Sequence, residues 1–400
     1  MVTFNTKNIG SLLFVILAHF SFVRPAIIYH SGMITIDRTI RNLAIVILVY
    51  LILRWVKYIK EGGVIKYIII FFLITLCITI LHSMPLMNLL RIIIYTLGLC
   101  LLVDIYMREG KGKILVKGIF ISYCILLGWN FIWMTHQVGF GVMAGNHLDV
   151  TIFGHNNILV YYAIPGLLFA FLHSYYTSSK LGMLHLVLMF IIGWSVLIAW
   201  SAAGVVGWAV FMTFAIFFYK RKAQRFFSMK SAIIVYTILF VGIVILRLQV
   251  HFSFIIENIL NRYVHLTGRE YIWDNVMIMI RESWLYGYGH GFRALPFDAH
   301  NRLLEILLQG GIISLISYIS IYVCILYRLR VQKNSLIVHL FSAAIMSLML
   351  VNLVDSAGGN FMYFAIFVLC NYCDDMKLPF VHKTQNEVPY VAADKNYRLE

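Results

Sequence analysis

"DAHNRLLEILLQGGIISLISYISIYVCILY", residues 298–327, decides the architecture. Its second half is an uninterrupted apolar run of the kind that crosses a bilayer, and residues 302 to 327 read as one membrane helix. Its entrance is polar, with Asp298, His300, Asn301, Arg302, Glu305 and Gln309 placed where hydrocarbon would solvate them badly. A membrane helix with so polar a start is expected to do something at that boundary.

Working outward, similar apolar runs recur along most of the 400 residues, of which 61% are hydrophobic and 12% charged, with a mean hydropathy of +0.85. That composition belongs to a polytopic membrane protein rather than to a soluble domain. The expected fold is all-α, a membrane helix bundle of about twelve segments: 9 to 29, 39 to 57, 65 to 82, 88 to 106, 114 to 134, 156 to 175, 182 to 200, 203 to 219, 231 to 249, 302 to 327, 335 to 355 and 359 to 373. The last is short, so the count is eleven or twelve. Residues 1–249 thus carry nine helices, 250–300 a large loop, 301–373 three more helices, and 374–400 a polar tail.

Lys and Arg concentrate in the loops that lie inside if the N-terminus is inside, as at Arg54, Lys57 and Lys60, Arg108 to Lys117, and Lys220 to Lys230. The short loops of the other side hold few, with Arg38 alone at the end of 30 to 38. Both termini are therefore expected in the cytoplasm. The net charge of +15 is accounted for by this asymmetry and by anionic headgroups, so nucleic acid is not implied. The six cysteines lie in or beside apolar segments and suggest neither a disulfide nor a metal framework.

The loop 250–300 breaks the pattern, with Arg262, Arg269, Arg281 and Arg293 spread through it and Arg247 just before it. These arginines are either solvated charges and lipid contacts or a site for an anion, and the planar guanidinium fork suits phosphate oxygens. "TGREYIWDNVMIMIRES" has Tyr271, Ile272, Val276, Met279 and Ile280 near helical spacing, which predicts an amphipathic helix starting near Gly268, with Thr267 and Glu270 as a capping box. "YGYGHGF" then breaks the helix with Gly287, Gly289 and Gly291 and lets the backbone pass close to a substrate or another helix. No strand precedes these glycines, so a nucleotide-binding loop is not expected. His147, Asp149 and His155 match no metal motif, and a hydrogen-bonded lip is the simpler reading. Asp355 reads as a helix cap or a sugar contact. His300 is either a satisfied boundary histidine or a base, because an imidazole can take a proton from a hydroxyl near neutral pH.

The segments "TGREYIWDNVMIMIRESWLYGYGHGF" and "AHNRLLEILLQGGIISLISY" resemble the signature region of the O-antigen ligase and polysaccharide polymerase superfamily: Gly-Arg-x-x-x-Trp, then Leu-x-Gly-x-Gly, then a His-Asn helix start with a Gly-Gly pair. "FGHNNIL" at 153–159 is similar to that family's Phe-Gly-x-x-Asn-x-Leu and points to Asn157. The resemblance implies an inverting, metal-independent transfer of glycan from undecaprenyl pyrophosphate to an acceptor sugar, without cofactor, at the outer face of a bacterial cytoplasmic membrane. It implies His300 as the base, with Glu305 beside it, and Arg269 on the pyrophosphate. Arg247, Arg262, Arg281, Arg293, Asn157 and Asn301 are the further binding candidates. A chain-length regulator and a flippase are the implied partners. One departure stands out: the family's Ser-Arg before the next helix is here "AWSAAGVVGW", with Ser201 and no arginine. Polymerase is the preferred reading, ligase the alternative, and a non-catalytic polysaccharide transporter the reading from another class.

Overall fold

A computed structural model describes residues 6 to 138, 151 to 177, 181 to 217, 228 to 252, 254, 268 to 293, 298 to 332, 335 to 356 and 361 to 376. Among these residues there is no strand beyond one isolated bridge, Thr151 with Gly154. The helices are α1 Thr6–Val23, α2 Ile27–His30, α3 Ile34–Trp55, α4 Val64–Leu81, α5 Leu86–Arg108, α6 Gly112–Val138 and α7 Val160–Thr177. They continue with α8 Met183–Ala199, α9 Ala202–Phe217, α10 Met229–Leu239, α11 Arg269–Glu282, α12 Arg302–Val331, α13 Ser335–Val354 and α14 Phe361–Leu369.

The chain is a multi-pass, all-helical membrane protein. Seven helices are long and apolar enough to cross a bilayer, and five more apolar helices are shorter: Asn8–Val23, Met183–Ala199, Ala202–Ile216, Met229–Ile245 and Tyr363–Tyr372. Leucines such as Leu53, Leu81 and Leu13 stand exposed on helix faces, as expected where hydrocarbon rather than water is the solvent. The core is built around α7, whose residues from Val160 to Leu172 are all buried. A helix that is apolar on every side belongs inside other helices. It packs against α6, α8, α9, α13 and α14, while α12 lies along α4 and α13 along α9.

Two elements differ from the sequence expectation. The segment 156 to 175 opens with a 3-10 turn, Asn156–Ile158, before α7 begins. More consequentially, α12 is not one continuous helix. Gly311 has φ 60 and ψ −166, a glycine-only conformation, and splits it into a first half, 302–310, and a second half, 312–331. The loop after α11 fills the gap. Tyr288 N and Gly289 N donate to the carbonyls of Leu308 and Gln309 at 2.9 and 2.8 Å, and Ile312 N donates to Trp284 O at 2.9 Å. Backbone groups freed by the break are thus satisfied by backbone from the preceding loop, which is what a break at membrane depth requires. The apolar run through Gly310 and Gly311 hides this from the sequence. The glycines of "YGYGHGF" do turn the chain, with φ of 65, 90 and 87 at Gly287, Gly289 and Gly291.

α11 starts directly after Gly268 and lays Ile272, Trp273 and Val276 against the bundle. Gly268 itself is the N-cap, in left-handed conformation, and Thr267 of the expected capping box lies outside the described residues. So do His147, Asp149, Arg262 and all of the tail beyond Met376.

Candidate functional site

The polar entrance of α12 is held by Asn301. This residue is fully buried and caps the helix, its Oδ1 accepting from Leu303 N and Leu304 N at 3.0 and 3.1 Å. Its Nδ2 donates to Leu353 O at 2.8 Å, tying α12 to the end of α13. The amide is committed at both ends, so Asn301 acts as a structural cap and not as the sugar contact expected from the sequence. Asn301→Ala is expected to lower the stability of the detergent-solubilised protein by about 1–2 kcal/mol, read as an earlier thermal unfolding transition.

His300 stands just outside that cap with φ 46, a left-handed conformation that a non-glycine residue adopts only when its surroundings enforce it. The enforcement comes from both neighbours. Asn301 is pinned as described, and Ala299 O accepts from the fully buried Trp273 Nε1 at 3.0 Å. The imidazole is thereby presented to Asp355 at the end of α13, with Nδ1 3.8 Å from Oδ1, too long for a hydrogen bond. His300 Nδ1 and Asp355 Oδ2 are both buried atoms without a hydrogen-bond partner, and Oδ1 is occupied by Ser356 N at 2.7 Å. Buried polar atoms are ordinarily paired, so an imidazole nitrogen and a carboxylate oxygen left without a protein partner set this pair apart from the polar contacts around it.

Trp273 also carries Arg247, whose guanidinium lies 5.1 Å from the ring centroid and pairs with Asp274 at 2.7 Å. Arg247 too has a left-handed backbone, φ 56. Trp273→Phe keeps an aromatic ring under Arg247 but removes the bond to Ala299 and leaves a cavity where the larger indole was fully buried. It is expected to cost about 2–4 kcal/mol in stability, read as an earlier thermal unfolding transition, with a further loss of activity as His300 loses its support.

Beneath His300, a chain of polar contacts runs along the first half of α12. Arg302 pairs with Glu305 Oε2 at 3.4 Å, Gln309 Nε2 donates to Glu305 Oε1 at 3.3 Å, and Gln309 Oε1 meets His290 Nδ1 at 2.9 Å. His290 N in turn donates to Thr79 Oγ1 of α4 at 3.1 Å. Burial, and then the charge of Arg302, push the His290 imidazole below its usual range against the opposing pull of Gln309 and Asp298. Its Nδ1 is placed to donate to Gln309 Oε1. Arg302, His290 and Gln309 line a narrow cleft together with Phe71, Phe72 and Thr75 of α4 and Leu89 and Ile92 of α5.

The structure sorts the sequence candidates. Glu305 is buried and turned to Arg302 and Gln309 rather than to His300. Arg269 and Arg281 sit at opposite ends of α11, twelve residues and so about 18 Å apart, and they cannot serve one phosphate together. Arg269 is half-buried and Arg281 exposed. Arg293 is exposed and pairs with Asp298 at 3.0 Å. Asn157 accepts from Ser201 Oγ at 2.7 Å, so the asparagine and the serine that lacks its following arginine meet across 44 residues of chain. This pair adjoins the His300 region through α7: Tyr161, one turn beyond Asn157, donates to Asn352 Oδ1 at 2.8 Å, and Asn352 lies three residues before Asp355. Sequence reasoning gave no role to Arg302 or His290 and left Asp355 undecided. Asp355 is 55 positions from His300, and nothing local announces their approach. Among the described residues no group of His, Cys, Asp and Glu is placed to hold a metal. No protein-family model matches the sequence, and no curated protein matches it, so the site rests on its own geometry.

Proposed function

We propose that this protein is a membrane glycosyltransferase of the polysaccharide polymerase type. It would act at the outer face of a bacterial cytoplasmic membrane, with both termini cytoplasmic and twelve crossings when the five shorter apolar helices are counted. The observation that carries the reading is the open His300–Asp355 pair at the mouth of α12. As the acceptor hydroxyl attacks the anomeric carbon, its proton passes to His300, and Asp355 stabilises the imidazolium that forms. The new bond is acceptor oxygen to carbon. The bond that breaks joins that carbon to the lipid pyrophosphate, which leaves with the electron pair, and arginine charge stabilises it. Arg302, held at the rim of an apolar-walled cleft, suits that task better than the dispersed arginines of α11. Catalytic contacts of this kind commonly tighten only in the complex with substrate, so a 3.8 Å separation is compatible with the role.

One observation favours a transporter: a broken helix such as α12 is a familiar device of ion and substrate sites. Here, however, the carbonyls of Leu308 and Gln309 and the N–H of Ile312 are already bonded to the loop, leaving those groups no ligand to bind. Deleting the gene separates the readings. Loss of a polymerase leaves single-repeat chains on the final acceptor, and loss of a ligase leaves long chains on undecaprenyl pyrophosphate. Loss of a transporter leaves repeat units facing the cytoplasm.

A further inference from the structure

Arginines that the proposed reaction does not use gather where α1, α3 and α5 meet. Arg24 closes α1, Arg38 and Arg41 stand in the first turns of α3, and Arg91 stands in the first turns of α5. Arg24 pairs with Asp37 at 2.7 Å and Arg41 with its other oxygen at 3.1 Å, and Asp37 is nearly fully buried. The Arg24 guanidinium is 5.8 Å from the ring centroid of Tyr95, and Arg91 stands one turn before Tyr95 on α5, near the same face of the helix. One carboxylate among three guanidiniums leaves a surplus of two positive charges. Arg24 also has a left-handed backbone, φ 29, like His300 and Arg247.

Short loops on the outer side ordinarily avoid arginine, and the freedom that a long loop enjoys does not extend to the loops here. A surplus of guanidinium at that depth calls for an anion, and its forked donors match phosphate oxygens. The position is informative. Leu89 and Ile92 of α5 line the Arg302 cleft, and Tyr95, one turn further along the helix, lies beside Arg24. Two arginine sites therefore adjoin the same end of α5.

We propose that the Arg24–Arg41–Arg91 cluster binds the polyprenyl pyrophosphate of the acceptor, while the Arg302 cleft takes that of the donor. This rests on the polymerase reading, in which both substrates are lipid-linked. The acceptor hydroxyl lies at the far end of its oligosaccharide, so its phosphate has to be held away from His300, and a cluster built from α1, α3 and the start of α5 is a second cationic site that shares no residue with the Arg302 cleft.

The test is the stoichiometry of radiolabelled undecaprenyl pyrophosphate bound to the full-length protein in phosphatidylcholine nanodiscs. Two equivalents are expected for the wild type and for His300→Ala. One is expected for Arg91→Gln, which has no ion pair to lose among the described residues, and one for Arg41→Gln. In a chain-extension assay Arg91→Gln is expected to raise the KM for acceptor about tenfold with little change in kcat. The proposal is overturned if the wild type binds one equivalent or none, or if both arginine variants retain two. It is equally overturned if phosphatidylglycerol at matched concentration displaces the second equivalent, which would mark an ordinary headgroup contact. Two equivalents falling to one, with no extension by the wild type, would uphold the lipid-pyrophosphate site and overturn the transferase reading instead.

Discussion

Cells carrying His300→Ala in place of the wild-type protein are expected to make at least about a hundredfold less long-chain polysaccharide, with the protein present in the membrane at its normal level. The size follows from what a positioned base contributes and from the lack of a substitute. Glu305 is engaged with Arg302 and Gln309, and His290 is engaged with Gln309 and Thr79. The structure should tolerate the change, because the side chain is 29% exposed and its Nδ1 makes no hydrogen bond. Alanine tolerates the left-handed backbone at this position less well than histidine, by about 1 kcal/mol, a cost small enough that the protein should persist in the membrane. Asp355→Asn should produce a smaller loss, since it removes the charge that steadies the imidazolium and leaves the base in place.

The second large effect concerns folding. Gly311→Ala would place a Cβ 2.2 Å from Leu285 O and 2.5 Å from Tyr286 N, and Gly287→Ala one 2.6 Å from both Gly310 N and Leu308 O. These are backbone atoms on both sides and cannot swing away. Either substitution must expel the loop from the break in α12 and strand the buried carbonyls and N–H that it satisfied. A cost of about 3 kcal/mol or more is expected, compounded from backbone strain and lost hydrogen bonds, with little folded protein recovered from membranes. Gly291→Ala is the informative comparison: its φ of 87 is also left-handed, but nothing lies within 4 Å of the added carbon. It should cost only about 1–2 kcal/mol. Equal loss from Gly291→Ala and Gly287→Ala would mean that turn strain, not the close approach to α12, is what these glycines serve.

Much of the fold was legible because hydrophobic runs report directly on helices in a bilayer. Each of the twelve expected segments coincides with an apolar helix, and α11 begins where Gly268 suggested. Of its expected apolar face, Ile272 and Val276 are buried and Tyr271 is exposed, while Trp273, which was not assigned to that face, is the most deeply buried residue of the helix. The break in α12 was not read from the sequence, although Gly310 and Gly311 could have signalled it, because the apolar run resumes at once and the groups that repair the break come from Trp284, Tyr288 and Gly289. The same limit applies to the site. His300 announced itself as a polar residue at an apolar boundary, but its partner Asp355 depends on how α13 ends beside α12. Asn301 looked like a ligand contact for the very reason that makes it a cap, a short amide at a helix start. The arginines of α11 looked like a cluster in one dimension and are spread along a helix in three. The bond of Asn157 to Ser201 shows that the segment lacking the expected arginine is still closed by a polar contact.

The most direct measurement of the central claim is glycan extension by the purified protein in lipid vesicles, supplied with undecaprenyl-pyrophosphate-linked oligosaccharide as both donor and acceptor. The wild type is predicted to build chains longer than one repeat and to release undecaprenyl pyrophosphate in step, and His300→Ala, equally folded, to do neither. Extension by His300→Ala at the wild-type rate, or none by a folded wild type, would contradict the account.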